Sequence, residues 1–150
     1  EYDFAAAEKD AFELESFQFE MESLARSAKL PEMKKHAAFL GIRLINDLGE
    51  PKTEDGIRRE YVMYANKNPK YFQETLGSKE VDIAFLVRSA IMDSKIEIGR
   101  EPGKIFWANG GGMICVLPAK TQPDLYLIEL AMTNNEDGKR FLELLQKTVK

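Results

Sequence analysis

With 150 residues, the chain has the length of one ordinary domain and can bury a core without disulfides or a structural metal. Its 44% apolar residues, 31% charged residues and formal net charge of −4 exclude the compositions typical of disordered chains. The apolar runs are too short to cross a bilayer and no secretory signal opens the chain, so we expect a soluble, cytoplasmic protein with no membrane partner.

The first fifty residues are predicted to form a helical hairpin, 1–50. Residues 5–29 have apolar side chains three and four positions apart, which indicates an amphipathic helix with a strongly acidic polar face. The apolar positions are Leu14, Phe17, Met21, Leu24 and Ala28. Pro31 suits the first turn of a second helix, which we expect to run to about Leu48 and to stop at Gly49.

Three shorter helices are predicted between residues 53 and 93. Thr53 is a good N-cap for a helix over 54–66, and its inward positions are Ile57, Tyr61 and Ala65. Pro69 breaks that helix and begins a short one. The next helix, over 79–93, is apolar around most of its circumference, so we expect it to be largely buried.

The segment 95–118 is predicted to be a β-wing, because its apolar period changes from that of a helix to two. Residues 96–98 and 105–107 read as two strands. Asn109-Gly110 is a tight-turn signal, and 113–117 is a candidate third strand that Pro118 ends. A two- or three-stranded hairpin results.

Helices are predicted again at the end of the chain, over 123–132 and after Asn135, which is a suitable N-cap. The whole sequence therefore favours one mainly α (α+β) domain, 1–150. In this prediction the helical hairpin precedes a winged-helix-like unit with its β-hairpin and C-terminal helices, 52–150.

No group of residues forms a recognisable catalytic, metal or cofactor site. His36 is the only histidine, and Glu32 lies one turn before it, but two ligands do not make a metal site, so we interpret His36 as an ordinary or satisfied histidine. Cys115 is the only cysteine, which excludes an internal disulfide, and its apolar neighbours Ile114 and Val116 predict an inert thiol. We therefore predict no enzymatic activity and no cofactor.

The order of the elements suggests nucleic-acid binding, because three helices followed by a hairpin is the order of a winged helix-turn-helix. Basic side chains would contact phosphates, and an aromatic ring would stack on a base, although the net charge opposes such binding. The candidate contacts are Lys52, Arg58, Arg59, Lys67, Lys70, Lys95, Arg100, Lys104 and Trp107. Trp107 is also a candidate core residue.

Arg58-Arg59-Glu60-Tyr61 is followed by Tyr64-Ala65-Asn66-Lys67-Asn68-Pro69 and Phe72. This pattern resembles the C-terminal part of uncharacterised proteins encoded by tailed bacteriophages. In the family pattern an acidic helix precedes this stretch, matched here by Glu8-Lys9-Asp10-Ala11. A hairpin ending in Val-Pro follows it, matched near Val116 to Pro118. The final helix of the pattern opens with an acidic-Gly step, matched by Glu136-Asp137-Gly138. The sequence departs from the pattern at Met113-Ile114-Cys115.

The resemblance implies a viral or prophage origin, in the host cytoplasm or the virion, and an N-terminal region that precedes this chain. It implies no activity and no binding residues. The start at Glu1 rather than Met also predicts a piece of a longer polypeptide.

Two functions stay open from the sequence. The first is a non-enzymatic protein-interaction or assembly module of a larger phage-type protein, which binds another protein or self-associates through the first helix, because the apolar stripe there exceeds what a core needs. The alternative is a winged-helix-like nucleic-acid-binding domain in phage replication, transcription or packaging.

Overall fold

A computed structural model describes residues 2–99 and 103–149. Within these ranges the chain forms seven α-helices and a small three-stranded antiparallel sheet, which confirms the mainly helical α+β class and the C-terminal helices. The chain divides into two compact units, Glu1–Val81 and Asp82–Lys150, and each has its own core. The assignment of 1–150 to a single domain stays a prediction. Among the described residues, no helix combines the length and the apolar character needed to cross a bilayer.

The first unit is built from four helices: α1 (Phe4–Ser27), α2 (Leu30–Phe39), α3 (Glu54–Lys67) and α4 (Pro69–Thr75). Helix α3 packs against the other three and is the main neighbour of α1. It begins as predicted, because the Thr53 hydroxyl accepts a hydrogen bond from the Gly56 N–H at 3.1 Å. The shared core consists of Met21, Ala25, Met33, Ala37, Ile57, Tyr61, Ala65 and Phe72.

Helix α2 ends at Phe39, so the prediction that it reaches Leu48 is wrong. Gly41 has a φ of +90°, and the N–H groups of Gly41 and Ile42 donate to the Ala38 and Ala37 carbonyls at 3.1 and 2.9 Å. These two bonds are those of a Schellman motif, which closes a helix with a glycine in the left-handed region. The chain then turns through an isolated bridge, and Leu48 is 82% exposed instead of facing a core.

The second unit comprises most of α5 (Lys79–Met92), the strands β1 (Ile96–Ile98), β2 (Lys104–Trp107) and β3 (Met113–Val116), and the helices α6 (Pro123–Met132) and α7 (Glu136–Val149). The strands lie in the order β1-β2-β3 with both pairs antiparallel, and Ile96 lies opposite Trp107. Helices α6 and α7 pack against each other, and the Asn135 side chain caps α7 by accepting from the Gly138 N–H at 2.7 Å. The predicted cap is therefore confirmed.

The elements that suggested a winged helix are all present in the predicted order, but they contribute to two different cores. Side chains of α3 and α4 are buried together with α1 and α2. Side chains of α5, β1 and β2 are buried together with α6 and α7, and they include Ile83, Val87, Ile105, Leu127 and Phe141. The elements that suggested a winged helix therefore do not share one core: the first of them belong to the core of the first unit and the later ones to the core of the second.

Candidate interaction surfaces

His36 lies in a chain of hydrogen bonds inside the first unit. Its side chain is 2% exposed, with Nδ1 2.7 Å from the Tyr61 hydroxyl on α3 and Nε2 2.7 Å from the Thr75 hydroxyl on α4. The Thr75 hydroxyl also donates to the Tyr71 carbonyl at 2.8 Å, which uses its single proton. We therefore assign the His36 proton to Nε2, so that Nδ1 accepts from Tyr61 and every member of the chain is satisfied.

This network joins three helices and leaves His36 no free ring nitrogen. Burial lowers the pKa of His36 from its ordinary value of 6.5 to about 4, so the imidazole is neutral at pH 7. Burial also raises the pKa of the Tyr61 phenol, against a smaller opposing effect of Arg58. His36 is thus a satisfied core histidine, and both of its ring nitrogens are hydrogen-bonded within the first unit. Elsewhere in the described ranges, no three His, Cys, Asp or Glu side chains gather as metal ligands.

Arg58, the first of the two adjacent candidate nucleic-acid contacts, closes the C-terminal end of α1. One guanidinium nitrogen donates to the carbonyls of Ala25, Arg26 and Ala28 at 3.0, 3.1 and 2.9 Å. The other donates to Glu54 at 3.1 Å. The last carbonyls of a helix lack partners within it, so the cation satisfies acceptors that would otherwise lose hydrogen bonds. Arg59, by contrast, is exposed.

Substituting Arg58 by Met is therefore expected to lower the unfolding free energy of the first unit by about 2 kcal/mol, because charge-assisted hydrogen bonds to the end of α1 disappear. The matched change Arg59→Met should shift it by less than about 0.5 kcal/mol. Urea unfolding followed by far-UV circular dichroism measures both. Equal stability of the two variants would contradict the capping role.

The other candidate nucleic-acid contacts differ in their exposure and in their contacts within the chain. Lys52 pairs with Glu60 at 2.9 Å, and Lys95 donates to the Thr148 carbonyl at 2.8 Å. Trp107 is buried and packs against Phe141. The exposed members are Arg59, Lys67 and Lys70 in the first unit and Lys104 in the second, and Arg100 lies outside the described residues. Nucleic-acid binding through these side chains stays a prediction.

The N-terminal part of α1 carries large apolar side chains that no residue of the first unit covers. We call residues 4–20 the α1 arm. None of them is fully buried, but Phe17 packs partly buried against the core, whose first buried residue on α1 is Met21. The exposed fractions are 71% for Phe4, 70% for Phe12, 53% for Leu14 and 71% for Phe19. Several large apolar side chains left exposed on one helix favour an interaction surface.

Leu14 and the pair Phe12 and Phe19 lie on opposite sides of the α1 arm. Leu14 precedes the buried Met21 by seven residues, so it continues the side that packs against the core. Phe12 and Phe19 are also seven residues apart and lie roughly half a turn away from Met21. A partner could therefore contact the side with Phe12 and Phe19 without displacing a core contact, whereas Phe17, on the side of Leu14, packs against the core.

The charge of the α1 arm is strongly negative. It contains Lys9 as its one basic residue, and its acidic residues are Glu8, Asp10, Glu13, Glu15 and Glu20. Lys9 and Glu13 are 3.9 Å apart on the exposed surface, a pair that contributes little in water. The arm thus combines uncovered phenylalanine rings with a net negative charge.

Comparisons of this chain with protein-family models, with curated proteins and with solved structures found no match. The resemblance to tailed-phage proteins therefore stays a prediction.

Sequence reasoning identified the α1 stripe but missed two structural roles. Tyr61 and Thr75 follow His36 by 25 and 39 residues, respectively, and no local pattern indicates that their side chains meet that of His36. Arg58 is predicted to contact phosphates, whereas its guanidinium donates to carbonyls at the end of another helix. Neither role has a signal in the spacing of residues.

Proposed function

We propose that this chain is a non-enzymatic protein-interaction module of a larger phage-type protein, and that the α1 arm is its binding surface. The observation that carries the proposal is the exposure of Phe4, Phe12, Leu14 and Phe19 along one helix. Burying such rings against a partner would contribute favourable free energy in proportion to the apolar area removed from water. The arm's backbone is already helical, so little ordering would oppose binding.

The charge of the arm favours a partner other than a second copy of the chain. Two arms lying side by side in parallel would bring five carboxylates of one against five of the other, and like charges at such distances repel. A helix that flanks its apolar face with Lys or Arg would instead complement the arm. We therefore assign the occupant as a basic amphipathic helix of another protein, bound by its apolar side.

Titration calorimetry with a synthetic helical peptide of Leu and Lys, apolar at every third and fourth position, tests this assignment. We expect saturable binding that weakens as salt is added, and no binding of the same peptide with Glu in place of Lys. The double substitution Phe12→Ser with Phe19→Ser should weaken binding by at least about tenfold, because it removes two large contact groups from exposed positions.

The matched control is Leu48→Ser, which removes an exposed apolar side chain from the same unit outside the arm and should leave binding unchanged. Equal affinity of the Lys and Glu peptides, or equal loss in both variants, would overturn the assignment. A concentration-dependent dimer in light scattering without peptide binding would assign the arm to a second copy instead. Salt-sensitive binding of labelled DNA or RNA, lost on Arg59→Glu, would favour the nucleic-acid alternative.

A further inference from the structure

The second unit contains a cavity of about 440 Å³ that the sheet and helices α6 and α7 line together. Sites for small organic molecules have volumes of about 300 to 1000 Å³, so the cavity is large enough for a compact ligand. All of its lining residues lie between Trp107 and Leu144, within one unit. Its geometry therefore depends on the second unit alone.

Aromatic and aliphatic side chains form the inner lining. Trp107 of β2 and Phe141 of α7 are both buried, and their ring centroids are 5.7 Å apart with a tilt of 37°. Ile114 of β3 and Leu130 of α6 add aliphatic surface. A lining of this kind favours an apolar ligand body, and two tilted rings favour an aromatic one.

The polar lining consists mainly of hydrogen-bond donors. Tyr126 on α6 is half-buried, and Arg140 on α7 is exposed. Within the described ranges, neither the Tyr126 hydroxyl nor the Arg140 guanidinium has a hydrogen-bond or ion-pair partner. Both groups can therefore donate to a ligand.

One acidic group, Asp137, also lines the cavity, one turn before Arg140. It lies in the first turn of α7, where the positive end of the helix stabilises a carboxylate. The charge of Asp137 thus has a favourable interaction within the helix, whereas a cation near the start of α7 does not. Arg140 therefore carries the charge that an anionic ligand would neutralise.

We infer that this cavity binds a small carboxylate with an apolar, preferentially aromatic, body. The planar guanidinium of Arg140 matches a carboxylate with two parallel hydrogen bonds, and the Tyr126 hydroxyl adds a donor. The ligand body lies against Trp107 and Phe141. Cys115 also lines the cavity, and burial raises the pKa of its thiol, so it remains a neutral wall group at pH 7.

The chain supplies two intrinsic reporters of occupancy, because its single tryptophan and its single cysteine both line the cavity. Titration with 3-phenylpropionate is expected to change Trp107 fluorescence saturably and to slow maleimide labelling of Cys115 over the same concentrations. The matched amine, 3-phenylpropylamine, and the neutral amide, 3-phenylpropanamide, should bind more weakly, since neither presents a carboxylate to Arg140.

Two substitutions on α7 should change the affinity in opposite directions. Arg140→Gln is expected to weaken 3-phenylpropionate binding about tenfold, because it removes a charge-assisted pair. Asp137→Asn should tighten it about twofold to threefold, because it removes an exposed repelling charge. Lys139→Gln, between the two but outside the cavity lining, is the control and should leave the affinity unchanged.

All three positions are exposed, so the variants are expected to fold, and circular dichroism checks this. The inference is overturned by the absence of saturable change in either reporter, by amine binding as tight as that of the acid, or by an unchanged affinity of Arg140→Gln. Reversed signs for Arg140→Gln and Asp137→Asn would assign the cavity to a cationic ligand. The α1 arm lies in the other unit, so these outcomes are separate from those of the peptide experiment.

Discussion

Lowering the pH from neutrality to about 4 is expected to remove about 3 kcal/mol from the unfolding free energy of the first unit through His36 alone. In the folded chain the imidazole is buried and its pKa is about 4, whereas in the unfolded chain it is near 6.5. Between these values the unfolded state binds a proton that the folded state does not, so stability falls as the pH falls. The contribution is fully present above pH 6.5 and is lost as the pH falls towards 4.

The size of the effect follows from the two pKa values, because each pKa unit corresponds to about 1.4 kcal/mol. Burial is what separates the values, and protonation also changes the hydrogen bond between His36 and Tyr61. Protonated His36 would donate from Nδ1, so the Tyr61 hydroxyl would have to turn its own proton away and accept. Protonation therefore removes the acceptor of the Tyr61 proton as well as charging the core.

Hydrogen exchange of peptides from α2 and α3, combined with urea unfolding at a series of pH values, measures this loss in the first unit. The control is the double variant His36→Leu with Tyr61→Phe, which removes the titrating group together with the hydroxyl that would lose its partner. Thr75 keeps its bond to the Tyr71 carbonyl in this variant. We expect the double variant to lack the pH dependence above pH 5, where few carboxylates titrate. The same slope in both proteins would contradict the role of His36.

Replacing Gly138 by Ala is expected to destabilise the second unit by about 2 to 3 kcal/mol. A Cβ at this position would lie 2.6 Å from the Leu130 carbonyl oxygen and closer still to that of Thr133. Both oxygens belong to the backbone at the end of α6, so they cannot rotate away as a side chain would. The start of α7 would have to separate from α6, and this cost exceeds the gain of about 1 kcal/mol that alanine normally brings to a helix.

Urea unfolding followed by Trp107 fluorescence measures this change in the second unit, because Trp107 packs on Phe141 of α7, and far-UV circular dichroism follows the first unit in the comparison variant. The comparison variant is Gly56→Ala in α3, where the nearest atom to the new Cβ is the side-chain oxygen of Thr53 at 3.1 Å. That atom belongs to a small side chain that can shift slightly, so the first unit should change by less than about 1 kcal/mol. Full stability of Gly138→Ala would show that α6 and α7 tolerate separation. Such a result would also count against the defined geometry that ligand binding in the cavity requires.

Local patterns in the sequence were sufficient for most helices and strands. The caps at Thr53 and Asn135 act through short-range hydrogen bonds, so their residue types and positions indicate where helices begin. The period of two and the turn residues likewise predicted the small sheet, and β3 ends near the predicted position. The end of α2 was missed because two glycines, Gly41 and Gly49, both offer a left-handed stop and periodicity continues past the first.

The sequence by itself determined the helical class, the caps, the wing of strands and the acidic amphipathic first helix, because each depends on residues only a few positions apart. Only the tertiary structure decided which side chains meet: His36 with Tyr61 and Thr75, Arg58 with the end of α1, and the lining of the cavity near Trp107. It also decided which part of the α1 stripe is buried, since Met21 contributes to a core whereas Leu14, seven residues earlier on the same side, is 53% exposed. Burial depends on contacts between distant segments, and their distances in space are not encoded in any local period.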